Sequence, residues 1–433
     1  MDKILDEVQS QAVVNCCDPS RRLYCVSGPA GTGKTELIQT IYNKLIEAGY
    51  DVLLVAPTAA AARRIYKATG LPASTIHRAR AYSSPGQRDK TTGKYTGRAV
   101  PKFNATNKMP YDVVIGDEYA MVNWPTHRSL VESMKPGAML RCFGDLNQLQ
   151  PIEEADADKA RGSAFREMLA KSNGTVLKKI YRQDEEYQDI IDNCTRILSG
   201  YPPQRTKNYR ITYTDDTAEG GPVAHLEKYI MECLDNGIDF SKEENQVITP
   251  INKSWIGIHA LNTMLQRCFR DIGADAYQLE RHDWDKKAGN YTSLVIGDKV
   301  VNWKNNYDLG FFNGEGGYVK ELREDGVIVI EDEERLIELP PYQEINIRGE
   351  TISWNPQKDL YLGYAKTTHK TQGNEYLHCV YMLNKSAHYV VNRPNFYTAS
   401  SRPRRSFQLF TDQRTIWQAV NRVGEFNPPM RKK

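Results

Sequence analysis

Gly28-Pro29-Ala30-Gly31-Thr32-Gly33-Lys34-Thr35 is the stretch on which the fold turns. It carries the spacing G-x-x-x-x-G-K-[ST] of a phosphate-binding loop. Gly28, Gly31 and Gly33 let backbone N–H groups turn inward onto a polyphosphate. Lys34 reaches the outer phosphates, and the Thr35 hydroxyl is a ligand for Mg²⁺. The flanks supply the required context. Leu23–Ser27 is a short apolar run that reads as a strand. Glu36–Ala48 reads as a helix with Leu37, Ile38, Ile41, Leu45 and Ile46 on one face, stopped by Gly49. The phosphates are thus expected at a helix N-terminus, where unpaired N–H groups and the helix dipole favour anions.

The 433 residues suggest about three domains and allow sizeable cores. Lys and Arg total 57 against 54 Asp and Glu, a net charge of +3, so local clusters of charge matter more than the balance. The eight cysteines are scattered without a C-x-x-C pair, and Cys25, Cys142 and Cys379 sit in apolar runs. That pattern argues against a disulfide framework or zinc site and for a reducing compartment. Met1–Ser10 has three acidic residues and no apolar stretch, so no signal peptide is expected. No apolar run approaches the ~20 residues of a membrane span.

Upstream of the loop, Ile4–Cys17 is expected to be an amphipathic helix, with Gln9 beside its apolar face. A Gln amide can pair with adenine N6 and N7, but on this helix alone an ordinary exposed Gln is the better reading. Val52–Ala56 is a strand apolar on both faces, as in a covered parallel sheet. It leads through Pro57 and Thr58 into the Ala-rich helix Ala59–Ala68. Ala73–His77 follows, with Thr75 and His77 at a further strand end, the ligand side of an open α/β sheet. From Arg80 to Lys108 seven basic residues face one acid, Asp89, with Tyr82, Tyr95 and Phe103 interleaved. This suits either a solvated surface loop or a segment that neutralises phosphates and stacks on bases. Val113–Gly116 is an apolar strand running into Asp117-Glu118. After a phosphate loop, Asp117 would hold hydrated Mg²⁺ and Glu118 would orient and deprotonate a water. Another strand, Ala138–Phe143, leads to Gly144–Pro151, where Gln148 could contact a γ-phosphate or the water.

The second half holds further segments. Ile180–Gln183 contains Arg182. Helix Ile190–Leu198 is followed by Tyr201–Gly221, which reads as a polar connector. Asn245–Pro250 is a strand of a second sheet. Gly297–Leu339 has short alternating runs with turn signals at Asn313-Gly314 and Asp325-Gly326, which predict a small antiparallel barrel. Tyr364–Glu375 holds Thr368, His369, Lys370, Gln372 and Gly373. Phe396–Arg402 lies near the end.

Gly28–Thr35, Asp117-Glu118, Gly144-Asp145-x-x-Gln148-Leu149-x-Pro151, Tyr364–Glu375 and Phe396–Arg402 together resemble superfamily 1 helicases of the RecD-like branch, in the same order along nearly the whole chain. The resemblance implies an α/β fold: a P-loop NTPase with two RecA-like parallel-sheet domains and ATP·Mg²⁺ in the cleft between them, a β-hairpin pin insertion and a small β-barrel insertion. The implied boundaries are 1–175 for the first motor domain, with the pin at 78–110. The second motor domain is 176–290 and 358–433, with the barrel at 291–357. The implied roles are Gln9 at adenine, Arg182 and Arg402 at the γ-phosphate, and Gln372 and Gly373 at the nucleotide. Pro57, Thr58, Thr75, His77, Thr368, His369 and Lys370 would touch single-stranded DNA, and Phe103 would stack near the pin tip. Three positions depart from the family pattern: Ala59, Ser401 and Pro403. The implied function is an ATP-driven helicase that tracks single strands 5′→3′ and opens forks. It would work as a monomer in a bacterial or phage-infected host cytosol, with a single-strand-binding or replication protein as candidate partner. A motor subunit of a larger repair complex, an RNA helicase and a nucleotide switch without turnover are the alternatives.

Overall fold

Short apolar runs separated by amphipathic helices bury both faces best in a parallel sheet, and the chain makes two such sheets. The computed structural model describes residues 5–81, 101–151, 153, 156–181, 185–214, 221–274, 276–280, 292–306, 309–332, 335–347 and 350–423. It divides into two units, Met1–Glu185 and Glu186–Lys433.

The first unit holds β1 (Leu23–Ser27), β2 (Val52–Ala56), β3 (Ala73–Thr75), β4 (Val113–Gly116), β5 (Met139–Gly144) and β6 (Thr175–Val176). They lie in the order β3-β2-β4-β5-β1-β6, every neighbouring pair parallel. All six strand ends therefore open at one edge. Helices α1 (Glu7–Cys17), α2 (Lys34–Glu47) and α3 (Ala59–Thr69) bury Val13, Leu37, Ile41 and Ile65 against one sheet face. The one-turn α4 (Ile76–Ala79) follows β3, and α5 (Trp124–Ser133), α6 (Asp156–Arg161) and α7 (Ala164–Lys171) complete the unit. Trp124, Leu130, Phe165 and Met168 cover the other face. Helix α1 starts at Glu7, later than expected, because Asp6 and Gln9 form a reciprocal capping box that ends the extended backbone there.

The boundary between units lies ten residues past the expected 175/176. Thr175-Val176 adds to the edge of the first sheet, Leu177 N–H donates to Ser27 O at 2.7 Å, and Leu177 is buried in the first core. Two residues of strand are too few to show as a period in the sequence.

The second unit carries α8 (Gln188–Leu198), β7 (Tyr209–Tyr213), α9 (Gly221–Asp235), β8 (Asn245–Thr249) and α10 (Ile258–Phe269). Next come β9 (Tyr277–Gln278), β10 (Ser293–Leu294), β11 (Lys299–Asn302), β12 (Gly316–Leu322), β13 (Ile328–Glu331) and β14 (Leu336–Leu339). Then follow β15 (Gln343–Ile347), β16 (Glu350–Trp354), β17 (Leu360–Leu362), β18 (Ala365–Thr367), β19 (Tyr376–Met382) and β20 (Pro403–Thr411). Its main sheet runs β18-β8-β19-β20-β7, again wholly parallel. The expected connector Tyr201–Gly221 thus contains an edge strand, β7, whose Tyr209 and Ile211 are buried.

The inserted region forms a five-stranded antiparallel sheet, β14-β13-β12-β11-β17. Among the described residues no pairing joins the end strands β14 and β17. The sheet extends past residue 357 to include Leu360–Leu362. Its Val300, Val319 and Ile330 share one core with Val247, Leu261 and Val380 of the parallel sheet. Residues 82–100, which hold most of the expected pin, lie outside the described residues.

Candidate nucleotide and nucleic-acid site

Between β1 and α2, Gly31 and Gly33 adopt φ of 83° and 80°, left-handed values that admit glycine at little cost. A side chain at Gly28 would meet Thr32 Oγ1 at 2.6 Å and Leu177 Cβ at 2.9 Å. The loop is braced from outside. Gly28 N–H donates to Gly144 O at 3.0 Å, Tyr181 N–H donates to Gly31 O at 2.7 Å, and Tyr181 Oη donates to Asp6. Lys34 Nζ folds over the loop and donates to Gly28 O at 2.5 Å and Pro29 O at 2.9 Å. This glycine cradle at the N-terminus of a 14-residue helix suits a polyphosphate.

Gln9 lies behind the cradle, buried. Its Oε1 accepts from Asp6 N–H at 3.1 Å and its Nε2 donates to Thr32 O at 3.2 Å. It holds the loop to α1, a task the expected adenine contact does not include. One Nε2 proton is left over from these bonds.

Asp117 and Glu118 follow β4 at the same sheet edge, 1% and 3% exposed. Glu118 has φ 48° and ψ 36°. That conformation costs a non-glycine residue ~1–3 kcal/mol and concentrates at functional sites. Burial pushes the Asp117 carboxyl above the usual carboxylate range, against the opposing pull of Arg64. Arg64, on α3, donates from Nη2 to Asp117 Oδ2 at 3.2 Å and to Glu118 Oε1 at 2.8 Å. Sequence reading missed this residue: on an Ala-rich helix it looks like a surface cation. Asp117 Oδ1 is buried with no hydrogen-bond partner among the described residues, and so is Gln148 Oε1, downstream of β5. Two oxygens in need of a donor or cation beside a phosphate cradle fit Mg²⁺ and a polarised water. Thr35, the other expected metal ligand, opens α2 next to Lys34.

The expected strand-contacting residues of the first unit share this edge. Pro57 and Thr58 follow β2, and Thr75 ends β3, which pairs with β2. The Thr58 and Thr75 hydroxyls accept from Ala61 and Arg78 N–H as helix caps, which leaves each O–H able to donate outward. His77 is largely buried, and burial holds its imidazole below the ordinary value. Phe103 packs against the first unit's own core, and its N–H donates to Arg80 O at 3.1 Å. It is anchored at the base of the 78–110 segment, not near a tip. Arg182 lies outside the described residues.

In the second unit Thr368 is fully buried, its hydroxyl bonded to Asn395 Oδ1 at 3.1 Å. It supports the loop from within instead of facing a strand. Burial lowers the His369 pKa. Lys370 Nζ sits 3.5 Å over the Trp303 ring, and burial there holds its pKa down to about 6. Gln372 is buried and Gly373 has φ 77°. Arg402, 2% exposed, donates to Thr398 O at 2.9 Å, Asn374 O at 3.0 Å and Ser401 Oγ at 2.9 Å. Three of its five N–H donors are therefore used inside its own unit, and two are left over for another partner.

A family model described as an AAA domain matches residues 4–211. The ATP-dependent RecD2 DNA helicase of Deinococcus radiodurans is 28% identical over 399 residues, 92% of this chain and 48% of the relative. The RecBCD enzyme subunit RecD of Buchnera aphidicola is 22% identical over 92% of this chain and 72% of its own length. The chain thus spans about half the length of the Deinococcus relative. Among solved structures, a Bacteroides Pif1 helicase in complex with ADP-AlF3 and single-stranded DNA superposes with TM-score 0.59 at 21% identity, covering 98% of this chain and 95% of that one. The Candida albicans Pif1 helicase gives 0.55 at 17% identity, covering 98% of both. These two share the fold. With the loop, the acid pair and the later segments in that order on two parallel sheets, the chain is similar to the RecD-like helicases of superfamily 1.

Proposed function

We propose that the chain is an ATP-dependent motor that tracks single-stranded DNA, 5′→3′, and separates duplex at forks. One observation carries the reading: the acid pair stands at the edge where the phosphate loop opens, with Asp117 Oδ1 lacking a partner among the described residues and Glu118 held in a strained conformation. A nucleotide switch needs the first acid only. A second buried acid at this place is what hydrolysis adds.

In this reading Lys34 and the Gly28–Gly33 amides bind the triphosphate, and Gln9 keeps that loop in shape. Thr35 and Asp117 would hold Mg²⁺, which would supply positive charge against the phosphates. Glu118 takes the proton of the attacking water, and Gln148 orients that water. Arg182 and Arg402 are assigned to charge on the γ-phosphate, and Gln372 and Gly373 to the nucleotide. Pro57, Thr58, Thr75, His77, His369 and Lys370 are assigned to the strand, with Thr368 behind them. No helix among the described residues is long and apolar enough to cross a membrane. The reading places the motor in the cytosol as a monomer, working beside a single-strand-binding or replication protein.

The test is ATP hydrolysis with and without oligothymidylate, followed by unwinding of forks with a 5′ or a 3′ tail. Stimulated hydrolysis and unwinding from the 5′ tail are expected. Nucleotide binding without turnover would reassign the chain as a switch, and a requirement for 2′-hydroxyls would make RNA its track.

A further inference from the structure

The helix that leads into Arg402, α11 (Arg393–Ser400), has an apolar inner face, with Phe396, Tyr397 and Ala399 buried in the second core. Asn395 sits among them, wholly buried. Its backbone N–H donates to the cap residue Asn392 at 2.9 Å, so its side chain is not needed to start the helix. That side chain works across the core instead. Oδ1 accepts from Tyr381 Oη on β19 at 2.7 Å and from Thr368 Oγ1 at 3.1 Å. Nδ2 is buried with no hydrogen-bond partner among the described residues. A buried amide left half-paired costs stability, and leucine would fill the place without that cost. Packing alone thus does not account for Asn395.

Thr368 opens the turn that carries His369 and Lys370, the residues assigned to the strand. The same segment meets the other end of α11. Arg402 Nη1 donates to Asn374 O at 3.0 Å, and Tyr376 N–H donates to Arg402 O at 3.0 Å. Segment and helix are therefore joined at two places, at Asn395 near the start of α11 and at Arg402 just past its end. Ser400 Oγ, 3.0 Å from Tyr209 Oη, ties the same helix to β7. Apolar contacts alone let a helix slide, whereas a directional bond to a buried oxygen fixes its place. Rigid elements joined by such bonds are what carries coupling between sites.

We propose that Asn395 is a positioning residue that couples the strand to ATP hydrolysis: it locks α11 to the 368–374 segment, so that seating a strand on His369 and Lys370 bears on the placing of Arg402. The assignment rests on the reading of the chain as a strand-stimulated motor, and it gives work to a residue that touches neither ligand. Without a strand, Arg402 is held by Thr398 O, Asn374 O and Ser401 Oγ, and none of these bonds involves Asn395. Basal turnover is then independent of Asn395, and the response to the strand is not.

The experiment compares wild type with Asn395→Leu, Tyr381→Phe and the double variant Asn395→Leu/Tyr381→Phe, each as the full chain. Leucine alone leaves the buried Tyr381 hydroxyl without its acceptor. The double variant removes both partners, a change close to neutral for stability. Thr368 keeps an outlet in each, because Thr249 O lies 3.5 Å from its Oγ1. The readouts are Tm, basal ATP hydrolysis, oligothymidylate affinity and the factor by which saturating oligothymidylate raises kcat. In the double variant the first three should stay close to wild type, and the stimulation factor should fall by ~5-fold or more, the low end of coupling between two sites. Tyr381→Phe alone leaves Asn395 bonded to Thr368 and should keep most of the stimulation. If basal and stimulated turnover fall in step with Tm, Asn395 only packs the core and the proposal is wrong. If the double variant melts and is stimulated like wild type, the coupling assignment is wrong and the motor reading stands. If oligothymidylate does not stimulate wild type, both fall.

Discussion

Arg64→Met is the perturbation that tests how the acid pair is kept ionised and in place. Methionine retains most of the aliphatic stem and removes the cation. In the wild type one nitrogen, Arg64 Nη2, serves Asp117 at 3.2 Å and Glu118 at 2.8 Å. Both acceptors are almost wholly buried, whereas the Arg64 side chain is 23% exposed. Removing one partner of a buried pair costs ~3–5 kcal/mol, because a charge is left uncompensated. Partial exposure of Arg64 puts the expected loss at the low end, about 3 kcal/mol. For a unit of this size each kcal/mol moves Tm by ~2–4 °C, so a fall of roughly 6–12 °C is expected in EDTA. Arg64→Lys keeps a charge but not the guanidinium geometry, and should lose less than half of that. Mg²⁺ without nucleotide should then restore part of the loss in Arg64→Met and do little for wild type, because it supplies the missing cation. Calorimetry of the two variants and wild type, in EDTA and in Mg²⁺, reads all of this. A Tm for Arg64→Met within about 1 °C of wild type in EDTA would refute the reasoning and leave the acids balanced by something other than Arg64.

Lys34→Ala should abolish ATP hydrolysis while oligothymidylate binding survives, as measured by steady-state turnover and anisotropy, because the Lys34 ammonium bonds to carbonyls of the phosphate loop. Glu118→Gln should leave nucleotide affinity near wild type and lower kcat by at least ~10², the usual contribution of a general base; an unchanged kcat would move the base elsewhere. Lys299 is buried, with its Nζ on Lys242 O and Asn245 O, and burial together with nearby Lys366 holds its pKa down to about 7. The unfolded chain then binds a proton that the folded one has lost between pH 7 and the ordinary lysine value of 10.5, so stability should rise with pH across that window. Denaturant titrations should show this slope in wild type and a flatter one in Lys299→Met; equal slopes would mean the Lys299 ammonium stays charged when folded.

The parts of the fold legible in the sequence are those written in local periods. The strand before Gly28, the helix after it and the alternating runs from Lys299 to Leu339 repeat at spacings that only one local structure satisfies. The parts missed are set by partners far along the chain. β7 is a five-residue edge strand whose alternation, Tyr209 and Ile211 inward, is hidden in a polar, Pro-bearing stretch. Arg64 finds its partners 53 and 54 residues downstream, and no period reports such a distance. The same holds for the polar motif residues that turned inward. Thr368 bonds Asn395, Arg402 bonds three groups of its own unit, and Gln9 ties α1 to Thr32.

These inward bonds bear on how a motif is read. In the sequence a polar residue at a motif position reads as a ligand contact, yet a buried loop needs its own carbonyls and hydroxyls satisfied before it can present anything to a ligand. Gln9, Thr368 and Arg402 do that work here, each with two or three bonds to groups of its own unit. Lys34, Asp117 and Gln148 differ. Lys34 rests on two loop carbonyls that a phosphate could replace, and Asp117 and Gln148 each keep a buried oxygen without a partner among the described residues. Substitutions should therefore separate by kind. Changes at the first three should lower stability and activity together, whereas changes at Lys34 and Gln148 should remove turnover from a chain that melts close to wild type; loss of the Asp117 carboxylate should cost stability as well, because it is the buried partner of Arg64.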